Sequence, residues 1–364
     1  MTPPGPDVRT IVALLTDQLD RLCAELIPAG RAIGPHWEDA PRNRGGRGDS
    51  FKVCLRGGLR GQWKHYGAGD VGGDALDLVA YVHGWGPPFN REAKRRAIGW
   101  ARGFLGLEAM DPAAVAQRRE AAARAAQRRE AEALEQRARD AKVARGLFLS
   151  ASADLAGSPV DAYLRGRGIA LERLARPTGA IRAHAGLGYT LDPPERRRVF
   201  PAMVSAISAP GHGIVAAHLT FLAQREGRWT KAPVSPAKVV RGAYAWAGGA
   251  VAIARGASGK SWAAMPAGEN PLIAEGIEDA LTLAIACPER RVLAAVSLAN
   301  LGNVALPEHC RTVTLVPDND GDNAAAAEGL ARAIASHQAA GRQVLLATPD
   351  PAFKDVNAMV MARG

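Results

Sequence analysis

Apolar positions change their period at recognisable places along the chain. From Val8 to Pro28 (VRTIVALLTDQLDRLCAELIP) they recur near i, i+3, i+4 and i+7, which predicts one amphipathic helix ended by Pro28 and Gly30. Residues 50–55 (SFKVCL) and 61–66 (GQWKHY) alternate like short strands, with Gly57 and Gly58 marking the turn between them. A glycine-rich loop (67–74) leads into a helix over 74–84, for which Asp74 is the expected N-cap and Gly84 the stop. From Asp111 to about Phe148 the chain is almost all Ala, Arg, Glu and Gln. That composition forms helix strongly and buries little, so it reads as a helical linker.

Beyond the linker, residues 158–169 predict a short helix and turn. VFPAMVSAIS (199–208), GIVAAHLTFL (213–222) and GAVAIA (249–254) predict strands. From Pro271 a new alternation begins. PLIA (271–274), RVLAAVSL (291–298), RTVTLV (311–316) and RQVLLATP (342–349) are buried-strand runs, with helices after Gly276 and over 323–341. Strands alternating with helices predict a parallel sheet covered on its faces.

Charge sharpens this picture. The 364 residues carry 46 Lys plus Arg against 36 Asp plus Glu, a formal +10, which favours a polyanionic partner. Between Arg31 and Lys64 eight basic residues face three acidic ones, with Trp37, Trp63, His65 and Tyr66 in or beside the stretch. Cations interleaved with aromatics suit single strands, because bases stack on rings while cations follow phosphates. Arg56, Trp63 and Lys64 are the candidate contacts there; a plainer reading makes Trp63 and Tyr66 core residues of a small sheet. Residues 225–244 hold five basic residues and one acid, Glu226. The four cysteines (Cys23, Cys54, Cys287, Cys310) form no CxxC pair and no zinc-finger spacing, so neither structural zinc nor a disulfide framework is expected. No apolar run reaches the ~20 residues of a membrane span. The start, MTPPGPDVRT, lacks the features of a signal peptide, so a cytoplasmic location is expected.

The candidate chemistry lies at the carboxyl ends of the predicted parallel strands, where sites form in such sheets. Glu275 follows one strand; Asp318, Asp320 and Asp322 follow another. A plainer reading of DNDGD is a polar turn capped by Asp322. If the two strands are neighbours, however, the carboxylates converge and repel one another unless a cation intervenes. Hard oxygen ligands suit Mg²⁺ or Mn²⁺. An EF-hand is excluded because its twelfth position is Gly329. GASGKS (256–261) is not a P-loop, since Ala254 stands where the first glycine belongs.

EGIEDAL (275–281), VPDNDGDNAA (316–325) and KDVNAM (354–359) resemble, in order, the three motifs of the Toprim domain of bacterial primases, type IA and II topoisomerases and some nucleases. The resemblance implies that Glu275, Asp318 and Asp320 are catalytic and hold Mg²⁺ or Mn²⁺, with Asp355 a weaker match to the last motif. Residues 197–222 and 231–244 are similar to the primase core that precedes this domain, which implies template or nucleotide binding by Lys231 and Lys238. Residues 48–84 resemble a primase zinc module that has lost its ligands. A topoisomerase, which needs a Tyr nucleophile in a large strand-passage domain, is less expected than a primase.

The expected fold is α/β. A C-terminal Toprim-like parallel sheet flanked by helices (269–364) is preceded by a mixed α+β primase-core-like region (149–268), the helical linker (111–148) and a small α+β N-terminal domain (1–110). The expected function is Mg²⁺-dependent primer synthesis on single-stranded DNA from nucleoside triphosphates, with a separate helicase as possible partner. A Toprim nuclease and a non-catalytic single-strand-binding replication factor are the alternatives.

Overall fold

The computed structural model describes residues 7–39, 51–65, 71–87, 89–107, 110–189 and 191–363. The chain divides into two compact units, Met1–Gln136 and Arg137–Gly364. Among the described residues no helix is long and apolar enough to cross a membrane.

In the first unit the expected N-terminal helix is two, α1 (Val8–Asp17) and α2 (Leu19–Leu26). Asp7 caps α1 by accepting from the Thr10 N–H, and the path breaks at Gln18, which leaves helical geometry (ψ 27°). Strands β1 (Arg31–Ile33), β2 (His36–Asp39), β3 (Phe51–Cys54), β4 (Trp63–His65) and β5 (Val71–Gly73) form an antiparallel sheet in sequence order. Helix α3 (Ala75–Val82) starts where expected, because Asp74 accepts from the N–H groups of Leu76 and Asp77. Helix α4 (Arg91–Leu105) has an alanine stripe, Ala93, Ala97 and Ala101, as its buried face, so the apolar pattern does not announce it. Helix α5 (Pro112–Ser150) covers the expected linker in a single run across the boundary between the units.

The first core gathers Ile11, Leu15, Leu22, Val53, Leu78 and Ala97 around an aromatic group. Trp63 lies at its centre, only 4% exposed, stacked on Phe51 (centroids 5.3 Å apart) and tilted against Tyr81 (4.7 Å). Its indole N–H donates to the Asp74 carbonyl at 2.9 Å.

The second unit contains α6 (Pro159–Gly166), β6 (Ile181–Gly188), β7 (Val199–Ala209), β8 (Gly213–Arg225), β9 (Arg228–Lys231), β10 (Lys238–Gly242), β11 (Ala250–Arg255), β12 (Leu272–Ala274), α7 (Ile277–Ala286), β13 (Arg291–Ala294), α8 (Leu298–Leu301), β14 (Thr312–Val316), α9 (Ala324–Ala339), β15 (Gln343–Leu346) and α10 (Val356–Arg363). Its ten strands form one sheet, β10-β8-β7-β11-β13-β12-β14-β15, with β6 added on β7 and β9 on β8. The regions on either side of residue 268 are therefore continuous: antiparallel pairing of β11 with β13 joins an antiparallel half to a parallel half.

The parallel strands are short and wholly buried at their centre because both faces are covered. Leu272, Ala274, Val292 and Ala294 pack with α7 residues Ala280, Leu281 and Ala284. Ile273, Leu293, Val313 and Leu315 pack on the opposite side with Leu301 of α8 and Ala333 of α9. Adjacent strand residues thus enter different cores, as the two-residue period demands.

Removing the Trp63 side chain should cost the first unit about 3–5 kcal/mol, as for other large-to-small aromatic core changes. Denaturant unfolding of Trp63→Ala followed by circular dichroism measures this. Loss within a few tenths of a kcal/mol would contradict the core placement.

Candidate functional site

The site begins with a register. Strands β12 and β14 run parallel with Leu272 opposite Thr314 and Ala274 opposite Val316. The Glu275 N–H then donates to the Val316 carbonyl at 3.1 Å, carrying the ladder one step beyond β12. Glu275 and Asp318 consequently leave adjacent strands at the same edge.

Two further connections close this edge. Asn319 donates its N–H to the Lys354 carbonyl (2.6 Å) and its side-chain amide to the carbonyls of Pro351 and Phe353 (both 3.1 Å), tying the DNDGD loop to the segment before α10. Asp279, on the first turn of α7, accepts from the Asn357 N–H at 2.8 Å, and the buried Asn357 amide donates to Thr282 Oγ1 and the Arg167 carbonyl. These bonds bring the third motif, with Asp355, to the first two. Asn323, not Asp322, caps α9, accepting from Ala325 and Ala326. The plainer reading of DNDGD, a turn capped by Asp322, therefore does not hold, because the helix begins one residue later.

The acids disturb one another. Burial, then the charges of Glu275, Asp355 and Asp320, push the Asp318 carboxyl up to about 6 from an ordinary 3.8, with Lys354 pulling weakly the other way. Burial, together with Asp355, Asp318 and Glu278, raises Asp279 to about 6 against the opposing Asn357 hydrogen bond. Burial likewise raises Glu275, and Asp320 and Asp279 add repulsion. One Glu275 oxygen, Oε2, is buried without a hydrogen-bond partner. At Gly276, between strand end and helix, an added Cβ would stand 2.6 Å from Asp279 Oδ2, so that carboxylate would have to turn aside.

This donor set fits a hard divalent cation: several oxygens, one buried and unpartnered, with too little positive charge nearby. Among the described residues no three His, Cys, Asp or Glu side chains already stand as a closed ligand group.

Lys231 and Lys238 both reach the same unit's α7. Lys238 Nζ donates to Glu278 Oε2 at 3.0 Å, Lys231 Nζ lies 3.8 Å from Glu278 Oε1, and the Tyr163 hydroxyl donates to Oε1 at 2.8 Å. Burial alone would raise the Glu278 carboxyl, but the two lysine charges and the hydrogen bonds from Lys238 and Tyr163 outweigh it and hold it at about 2. Lys231 is instead held below its usual range, first by burial and then by Lys238, which together exceed the pull of Glu278. One carboxylate thus serves two ammonium groups, and the pair retains an excess of positive charge. Glu278 and Asp279 carry no mark in the sequence beyond sitting three and four residues after Glu275 on a helix that begins at Ile277.

Arg56, Trp63 and Lys64 belong to the first unit. Arg56 is exposed beside the β3–β4 turn, and Lys64 of β4 lies directly opposite Lys52 of β3, which pairs with Glu38 at 3.0 Å. Trp63 presents no face to a base, so its expected stacking role is replaced by a core role. Arg42, Arg44, Arg47, Asp49 and Tyr66 of the same basic stretch lie outside the described residues.

Residues 271–364 match the Toprim domain, and residues 138–253 match a domain of unknown function (DUF7146). The C-terminal part of the second unit is therefore a Toprim domain. No curated protein matches the chain. Among solved structures it is similar to the Aquifex aeolicus primase (zinc-binding and RNA polymerase domains), with 14% identity over 95% of this chain and 82% of that one, at a TM-score of 0.37. It is also similar to a DNA primase domain from Pseudomonas aeruginosa, with 16% identity over 62% of this chain and 75% of that one, at a TM-score of 0.39.

Because folding raises the Asp318 pKa, the folded state resists ionisation there. Stability tied to this group is fullest below about pH 4 and is lost as pH rises through about 6. In metal-free buffer near neutral pH, Asp318→Asn should thus be more stable than wild type, by roughly 1 kcal/mol once partial exposure is allowed for. The difference should vanish towards about pH 4. Thermal melts across this range check both the sign and the window.

Proposed function

We propose that the chain is a primase-like enzyme that joins nucleotides into short primers on single-stranded DNA. The observation that carries this reading is the emergence of Glu275 and of the loop holding Asp318 and Asp320 from adjoining ends of two parallel strands, with Lys231 of β9 and Lys238 of β10 drawn to Glu278 on the helix that follows Glu275. A nucleotidyl transfer needs negative charge held next to positive charge in this way.

In this reading Glu275, Asp318 and Asp320 hold Mg²⁺ or Mn²⁺. The bound ion supplies neutralisation of the carboxylate edge and polarisation of the phosphate under attack. Alternatively to holding the ion, Glu275, whose proton affinity is raised by burial, would take the proton of a primer 3′-hydroxyl as that oxygen attacks the α-phosphorus and pyrophosphate leaves. Lys231 and Lys238 draw the triphosphate towards the edge. Arg56 and Lys64, with the exposed cations of the first unit, contact the single strand through its phosphates. The lysine pair favours triphosphate chemistry over hydrolysis, since a nuclease using the same acids has no need of a second phosphate-binding group.

The test is incubation of the purified chain with single-stranded DNA, labelled ribonucleotides and Mg²⁺ or Mn²⁺. Short labelled products are expected from wild type. Asp318→Ala and Asp320→Ala should each lose activity by at least ~10²-fold, the scale for removing a group that stabilises transition-state charge. Cleaved template without products would favour the nuclease. Strand binding that is indifferent to both metal and variants would favour a non-catalytic replication factor.

A further inference from the structure

Glu278 is only 4% exposed and makes three contacts that differ in tightness. Lys238 is held at 3.0 Å and the Tyr163 hydroxyl at 2.8 Å, but Lys231 stands off at 3.8 Å with 42% of its side chain exposed. Among the described residues Glu278 is the one acid that either lysine pairs with.

The sheet face beneath them also holds buried polar side chains. Lys238 of β10 is directly opposite Thr220 of β8; His218 lies two residues along, opposite Ser205 of β7. Directly opposed residues share a face, as do residues two apart on a strand. Lys238, Thr220, His218 and Ser205 therefore form one row. Thr220 Oγ1, His218 Nδ1 and Ser205 Oγ are buried without hydrogen-bond partners. The row supplies hydrogen-bonding groups but no acid, so charge balance in this place rests on Glu278.

A buried carboxylate stripped of all its cations is strongly destabilised, whereas one that keeps a short, hydrogen-bonded partner is not. Lys238 and Tyr163 suffice to satisfy Glu278, and Lys231 is the contact that can leave. We propose that Glu278 is the resident counter-anion of a polyphosphate site: it fixes Lys238 and holds Lys231 in reserve, and Lys231 passes to the phosphates of a nucleoside triphosphate when one binds. Glu278 is thus a positioning residue that sets triphosphate affinity by competing for Lys231. The inference rests on the nucleotide-joining reading for the identity of the ligand and adds the group that tunes its binding.

The measurement is calorimetric titration of inorganic tripolyphosphate, and separately of a single-stranded oligodeoxynucleotide, into metal-free full-length protein. Glu278→Gln keeps the shape and removes the competing charge: its amide oxygen still accepts from Lys238, while its amide N–H donates to the Tyr163 hydroxyl in a reversed bond. It should bind tripolyphosphate roughly tenfold more tightly than wild type. The gain should disappear in Glu278→Gln combined with Lys231→Met, and oligonucleotide affinity should be unchanged. A merely structural role for Glu278 would never strengthen binding. Equal or weaker tripolyphosphate binding by a folded Glu278→Gln protein overturns the inference. So does a gain that survives loss of Lys231, or one confined to the oligonucleotide. If Glu278→Gln does not fold, Glu278→Asp, which shortens the reach towards Lys231, should show a smaller gain, and no gain there overturns the inference equally. Because no metal is present, the result is independent of primer synthesis: a chain that makes primers without this gain loses only the counter-anion, and a chain with the gain but no primers loses only the synthesis reading.

Discussion

The parallel pairing of β12 with β14 is the constraint on which the rest depends. Its register sets Ala274 beside Val316, and every later step of the site follows from where those two strands stop. Glu275 leaves one strand still bonded to the other, and the DNDGD loop leaves the second strand at the same level. A slip of one residue would turn Glu275 into the core and carry a buried apolar residue to the edge, because successive side chains alternate between faces. The register is protected by that same alternation, since Leu272 and Ala274 serve one core and Ile273 the other.

Around this pairing the protein separates its charges by element. Acids cluster at the strand ends and on the first turn of α7, where the positive end of the helix favours them. Cations come from β9 and β10 in the antiparallel half of the sheet. Glu278 is the point of contact between the two sets, which makes α7 both a packing helix and the joint between the halves. In the proposed reading the acidic edge would take a divalent cation, and the lysine pair, which shares the single carboxylate of Glu278, would take the triphosphate.

Much of this was legible in the sequence because it follows from period and order. The four parallel strands, their alternation with helices, Asp74 as a cap, and the acids at strand ends are local signals with one sensible folding. The ring of Trp63 was left between two readings because an aromatic among cations looks alike whether it faces solvent or core. Burial was decided by Phe51 and Tyr81, which approach it only through the antiparallel register of β3 and β4 and the placement of α3. The break at Gln18 was hidden because the apolar stripe of α1 continues into α2. Helix α4 was hidden because alanine supplies its buried face. Glu278 was missed for a different reason: an acid in the first helical turn is usually solvated, and only the convergence of β9, β10 and α6 makes it buried and paired. The resemblance to the Toprim motifs implied roles for Glu275, Asp318 and Asp320; what the fold adds is that β12 and β14 are neighbours, the condition on which their approach depended.

The central claim is that the carboxylate edge binds a divalent cation through Asp318 and its neighbours. Titration of Mn²⁺ into the purified protein at about pH 6 and about pH 7.5, in buffers of differing ionisation enthalpy, addresses it most directly. With Asp318 and Asp279 both raised to about 6, binding should be tighter at the higher pH and should release protons at the lower one, and Asp318→Asn should weaken it. Mn²⁺ affinity that is the same at both pH values, without proton release and unaffected by Asp318→Asn, would contradict the account.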